Sequence, residues 1–187
     1  MVMAKNQAAP GTLELVRQFV NTADREQNEE RLPTPEALST WLADQQLISA
    51  PMPADAADLR HAIELREALR AILLAHNGGP AVPDAAGETL DDAACRARLQ
   101  LRFRGGDIAL EPEAGGVDAG LGRLLAIVHA AIAQHTWERL KACREHTCEW
   151  AFYDHTKNRS GAWCNMRVCG NRAKARAYRE RQVQTDA

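Results

Sequence analysis

The sequence predicts a mainly α-helical fold with one β-hairpin in its body and a small cysteine-rich module at its C-terminal end. Three observations carry that expectation. Apolar residues recur at helical spacing through most of the first 140 positions, in an alanine-rich chain that is only 5% aromatic; such a composition favours helices over sheets. One stretch, residues 98–111, alternates apolar and polar residues about a Gly-Gly dipeptide. Four of the five cysteines form two matched pairs, Cys143-x4-Cys148 and Cys164-x4-Cys169, with fifteen residues between them. At 187 residues the chain suits one medium domain with a small appendage, and the expected division is 1–140 and 141–187.

The elements follow in order. Pro10-Gly11-Thr12 opens a helix, with Thr12 at the N-cap and Leu13, Val16, Phe19 and Val20 on one face, and Asn21-Thr22 ends it. The polar run Asp24 to Arg31 reads as a loop. Thr34-Pro35-Glu36 is a second start: cap, proline at the first helical position, acid in the first turn. Leu38, Trp41, Leu42 and Leu47 give that helix its buried face. Pro51-Met52-Pro53 breaks the chain, and Asp55 caps a longer helix to about His76. Its stripe is Leu59, Ile63, Leu69, Ile72 and Leu73, and Asn77-Gly78-Gly79-Pro80 stops it. A weaker helix covers Glu88 to Ala97. In the hairpin, a two-residue Gly105-Gly106 turn sets Arg104 against Asp107, Phe103 against Ile108 and Leu101 against Leu110, which puts the apolar residues on one face. After a loop at 111–116, a long helix is expected from about Asp118 to Leu140, with Leu121, Leu124, Leu125, Val128 and Ile132 inward.

The net charge of −2 conceals an asymmetry: residues 1–139 carry −7 and residues 140–187 carry +5. An acidic body with a basic end predicts that the end alone meets a polyanion. The opening MVMAKNQAAPG lacks the apolar core of a signal peptide, and no uninterrupted apolar run approaches membrane-spanning length. The expected location is therefore the cytoplasm, with no membrane partner, where thiols stay reduced. A disulfide framework does not suit that compartment or an odd number of cysteines.

Four thiols at this spacing predict a closed tetrahedral site for one structural Zn2+, held by Cys143, Cys148, Cys164 and Cys169. His146 or His155 could replace one of them, and an iron–sulfur cluster suits the spacing less well. With four thiolates no position remains for a reactive water, so such a site stabilises without catalysing. The expected geometry is treble-clef-like. The first pair sits at a tight turn. Glu149 to Asp154 forms a short strand, Lys157 to Gly161 a turn, and Ala162-Trp163-Cys164 the partner strand. Cys169 lies at the start of the last helix. Gly170 lets the backbone pass close to the metal, and Phe152 and Trp163 cover the site. Cys95, alone, reads as a small buried apolar residue.

The stretch Cys143-x4-Cys148-x3-Phe152-x-Asp154, Asn158-Arg159-Ser160, Trp163-Cys164-x-Met166 and Cys169-Gly170-Asn171-Arg172-x-Lys174 resembles the CGNR zinc-finger family of bacterial proteins. Upstream, Phe19-Val20-Asn21-Thr22, Leu38-x2-Trp41-Leu42 and Leu65-Arg66-Glu67-Ala68-Leu69-Arg70 resemble its companion, the alanine-rich ABATE domain. The resemblance spans nearly the whole chain and implies a stress-linked transcription regulator with a DNA-binding finger. One departure stands out: Gly161 and Ala162 occupy positions where the family tends to carry arginines.

Beyond Cys169 the basic residues Arg172, Lys174, Arg176, Arg179 and Arg181 lie on a helix with no apolar stripe. With Arg159 and Arg167 from the finger they form the candidate nucleic-acid-binding set, duplex DNA being the expected partner. Asn171 is expected to secure the finger by hydrogen bonds. A single finger binds weakly, so a homodimer through the body is part of the expectation. An RNA- or ribosome-associated protein and a protein–protein adaptor are the alternatives. No catalytic constellation is legible: His61, His76, His129 and His135 fall apart in the sequence, and no phosphate-binding loop follows a strand, so an enzyme is not expected. Asn21, Thr22, Arg66 and Glu67 read either as the lining of a small ligand pocket or as a helix cap tied to a buried Arg–Glu pair.

Overall fold

The computed structural model describes residues 7–185; the first six residues, part of the stretch read against a signal peptide, lie outside it. Six α-helices and three two-stranded antiparallel sheets make up these described residues. Helix α1 (Leu13–Val20) buries Val16, Phe19 and Val20 completely. Thr12 stands at its N-cap but makes no side-chain cap bond. The run expected as a loop instead pairs β1 (Ala23–Asp24) with β2 (Glu29–Glu30), closed by Asp24 Oδ1 accepting from the Gln27 N–H at 3.0 Å. The body thus holds two hairpins, one of them minimal.

Helix α2 (Pro35–Asp44) starts as expected, with the Thr34 hydroxyl accepting from the Ala37 N–H. Helix α3 (Ala56–His76) opens on a capping box in which Asp55 accepts from Ala57 and Asp58 and the Asp58 carboxylate bonds back to the Asp55 N–H. Its buried stripe is Ala62, Leu65, Leu69 and Leu73, while Leu59, Ile63 and Ile72 are only half-buried. The stripe is rotated from the expected one because two arginines, Arg66 and Arg70, are buried beside it. Helix α4 (Asp84–Ala97) begins a turn before the expected Glu88. Cys95 on it is exposed, not buried: the inward positions are Ala86, Ala93 and Ala97.

The main hairpin, β3 (Leu99–Arg104) and β4 (Asp107–Pro112), has the expected register. The Arg104 side chain lies outside the described residues. The base of the hairpin packs on α5 (Gly116–Ala133) at Gly122, where a Cβ would come within 2.5 Å of Ala97 Cβ. Its outer half is bare: Leu101, Phe103 and Ile108 are more than half exposed. Helix α5 is the central helix, burying Val117, Leu121, Leu124, Leu125 and Val128 against α1, α2, α3 and α4. Among the described residues it alone is long and apolar enough to cross a membrane; it contains Asp118 and Arg123, and half of it is buried in the core.

Helix α5 does not reach Leu140. It stops at Ala133, the chain reverses through His135 at φ 55°, and a 3-10 turn (Trp137–Arg139) leads into β5 (Leu140–Ala142). Ile132, expected inward, is 49% exposed in that last turn. Strand β5 pairs with β6 (Ala151–Tyr153), so the partner of β6 lies before it in the chain and is not Ala162–Cys164. The reason is core formation. Leu140, Ala142, Ala151 and Tyr153 form one face of this sheet and belong to the same hydrophobic core as α1, α3 and α5. The C-terminal module is therefore seated in the body through its first hairpin.

Candidate metal centre and nucleic-acid interface

The knuckle between β5 and β6 presents the first cysteine pair. Cys143 closes the ladder, its N–H donating to Trp150 O at 3.0 Å, and the chain turns with Cys148 N–H donating to Glu145 O at 2.8 Å. Glu149 leaves the turn at φ 47°. In the second pair, Cys164 precedes a π-helical turn, Met166–Gly170, and Cys169 lies within it; the start of that turn is capped by Asn165 Oδ1 accepting from the Arg167 N–H at 2.9 Å. Cys169 thus ends a short π-turn immediately before α6 (Asn171–Thr185).

The four sulfurs converge within 4.8 Å of one another, and all four residues are buried. Cys148–Cys164 and Cys164–Cys169 are separated by 3.6 and 3.7 Å, and none is in a disulfide. Four thiolates at 2.3 Å from one tetrahedral Zn2+ lie about 3.8 Å apart, so the cluster fits one zinc ion per chain. Trp150, Phe152 and Trp163 pack around it and keep water out. By themselves the thiols share their protons unequally. Hydrogen bonds from Cys148 and Cys164 hold Cys143 far below the usual thiol range, the Cys143 sulfur pushes Cys148 and Cys164 up, and burial pushes Cys169 up. A bound dication removes that competition and holds all four as thiolates. His146 is exposed, its Nδ1 3.1 Å from Glu145 Oε1, and His155 reaches Ala8 O at 2.9 Å, so neither joins the cluster. Gly170 serves a purpose other than metal approach: a Cβ there would meet Met166 Sδ at 2.4 Å and crowd Trp163.

Comparison with family models agrees with this geometry. Residues 139–182 match the CGNR zinc finger, and residues 13–140 match the family described as "Putative stress-induced transcription regulator", ABATE. The chain belongs to the ABATE family. No curated protein matches it. The ABATE domain and the finger meet at the shared hairpin, since the two matched segments overlap at the start of β5.

The basic residues divide. Arg172 Nη1 reaches Glu26 Oε1 at 2.7 Å, on the turn between β1 and β2. Arg176 Nη1 lies 3.1 and 3.2 Å from both oxygens of Glu145, which is only 1% exposed. Both arginines are therefore engaged with acids. Arg167, Lys174, Arg179 and Arg181 are exposed. Arg159, also exposed, sits at φ 52° with Glu138 4.0 Å away, and its carbonyl accepts from Lys141 Nζ. Asn171 Nδ2 donates to Arg167 O at 2.9 Å, tying α6 to the π-turn.

Asn21, Thr22, Arg66 and Glu67 are brought together, but in an ion-pair network. Arg66 bridges Glu30, Glu67 and the Thr22 hydroxyl. Glu67 also takes Arg25 and Arg70, and Arg70 continues to Val20 O and Glu149 O. Asn21 pairs with a strand: its Nδ2 donates to Ala151 O at 2.9 Å and its Oδ1 accepts from the Ala151 N–H at 2.8 Å. Asn21 joins the ABATE domain to the finger directly, and Glu67 does so through Arg25 and Arg70, both of which reach Glu149. Neither of two surface hollows, of about 310 and 380 Å³, is lined by them. Sequence reasoning named Arg66 and Glu67 and quoted Arg70 only within a motif, though Arg70 stands one helical turn from Glu67; it missed Arg25 and Glu149, whose spacing along the chain carries no sign that they meet.

Proposed function

We propose that this protein is a zinc-dependent regulator of transcription that binds duplex DNA through its finger and α6. The observation that carries the reading is a cationic helix, α6, growing directly out of a buried four-cysteine cluster, with Arg167, Lys174, Arg179 and Arg181 exposed around it. A rigid metal mount fixes the helix, and the cations supply the sequence-independent attraction to phosphate. The chain's acidic body, at −7, repels the duplex elsewhere and leaves the +5 end as the contact.

With Arg159, also exposed, these cations would contact five phosphates and give a slope of about −4 to −5 in log K against log[salt]. A filter-binding series on duplex DNA with the zinc-loaded protein measures it, and a flat slope would overturn the reading. One finger offers a small interface, so a second copy is part of the proposal. The bare apolar face of β3–β4, with Phe103 75% exposed, is where it would pack. Sedimentation at micromolar concentration should show a dimer that Phe103→Ser dissociates.

A further inference from the structure

The setting of α6 gives the DNA contact an orientation, an inference that rests on the DNA-binding reading of this helix. Ala173, Arg176 and Ala177 are the half-buried positions of the helix, and Arg176 is anchored on the buried Glu145. At 100° per residue these three define the inward side. The side turned furthest from the protein then carries Asn171, Ala175, Tyr178 and Gln182, at spacings of four, three and four. All four are exposed, Tyr178 by 58%. Lys174 and Arg181 flank this neutral strip on one side, and Arg172 and Arg179 on the other. No acidic residue occurs from Asn171 to Arg179.

We propose that α6 is a major-groove recognition helix in which Ala175, Tyr178 and Gln182 face base edges while Lys174 and Arg181 on one side and Arg179 on the other reach phosphates across the groove. The residue types suit those places. The amide of a glutamine can pair with both the N6 and N7 of an adenine, and a small alanine lets the helix approach a thymine methyl. A major groove about 12 Å wide admits one α-helix, and 15 residues span about 22 Å of it. Asn171, at the base of the strip, already donates its amide to Arg167 O and is a mount for the helix, not a reader. Arg172, paired with Glu26, sets the edge where the body begins.

The test is selection from a randomised duplex library by the full zinc-loaded chain. The parent is expected to select a motif. Tyr178→Ala and Gln182→Ala each lose discrimination at discrete positions, by about 5-fold or more, with an unchanged salt slope. Lys174→Ala and Arg181→Ala weaken binding to all sequences alike and reduce the slope by about one each. Because all four positions are exposed, zinc content and helicity should match the parent, which confirms folded variants. An unaltered motif in both Tyr178→Ala and Gln182→Ala, or no motif in the parent, overturns the proposal. So does tighter binding to single strands that Tyr178→Phe preserves, since that outcome assigns Tyr178 to base stacking. No duplex binding at all at low salt is a separate result, and it removes the DNA-binding reading itself.

Discussion

Asp154 shows how a single buried charge is made tolerable in the finger. Its carboxylate, 1% exposed, accepts from Lys141 Nζ at 2.7 Å, from the Thr156 N–H and hydroxyl, and from the Gly161 N–H. Burial alone would raise its pKa; the Lys141 and Thr156 hydrogen bonds, with the backbone ones, outweigh it and hold the value at about 2, against an ordinary 3.8. A carboxyl depressed in the folded state stabilises fully above its unfolded value and ceases to do so as pH falls through the folded one. Asp154 therefore contributes on the order of 2 kcal/mol above about pH 4, and that contribution disappears between pH 4 and pH 2. Asp154→Asn also strands the Lys141 ammonium in the interior, so its cost above pH 4 is greater, about 3 kcal/mol. Urea unfolding of parent and variant from pH 6 to pH 2 checks this: the gap between them should narrow only below pH 4. The motif Phe152-x-Asp154 was legible in the sequence as part of the finger, but its partner Lys141 was not, because nothing local marks a lysine that will be buried.

At the scale of elements, local chemistry in the sequence located the starts of α2 and α3, where a capping side chain marks them, but placed α4 a turn late, where no side chain caps it. Thr34 and Asp55 cap where their side chains dictate, and the Gly-Gly turn set the register of β3–β4. What also failed was a boundary that only packing decides. Leu140 continues the apolar spacing of α5, so the helix was expected to run on, yet Leu140 serves better on a strand whose alternate residue, Ala142, faces the same core. The period-two pattern Leu140-Lys141-Ala142 was present but too short to outweigh the helical one. The docking of that strand pair explains Asn21. At the end of α1 its carboxamide imitates a neighbouring strand and satisfies both backbone groups of Ala151. Asn21→Ala leaves a buried N–H and C=O without partners, and each costs about 1–3 kcal/mol. We expect a loss of about 2–4 kcal/mol in the urea unfolding free energy, together with faster amide exchange at Ala151 than at Phe19 on the same helix–strand contact. Equal exchange at both positions would argue against a local role for Asn21.

For the whole molecule, the shared hairpin means that metal and body stabilities are linked. The cysteine pattern made the zinc site legible, but the sequence suggested a finger appended to a finished domain. Instead Leu140, Ala142, Ala151 and Tyr153 close the core over α1 and α3, and the knuckle that holds Cys143 and Cys148 is the connection between β5 and β6. A structural zinc contributes about 10 kcal/mol or more to folding, comparable with the total stability of about 5–15 kcal/mol for a domain. Without the ion the knuckle keeps the packing of Trp150, Phe152 and Trp163 and ties such as Arg70 to Glu149 O and Arg176 to Glu145, but loses the link that joins it to the second cysteine pair, and the β5–β6 cover loosens with it. Chelation should therefore lower the thermal midpoint of the ABATE domain as well as unfold the finger. An appended finger would leave that midpoint unchanged. Cys164→Ser should bind no zinc where the parent binds one, and its body helices should melt earlier than those of the parent. Asn21 and Arg70, which hold β6 and Glu149 from the body side, carry the coupling in the other direction: Asn21→Ala should release zinc to a chelator faster even though it touches no sulfur. Identical release rates in parent and Asn21→Ala would show that the two halves are joined in sequence but not in energy.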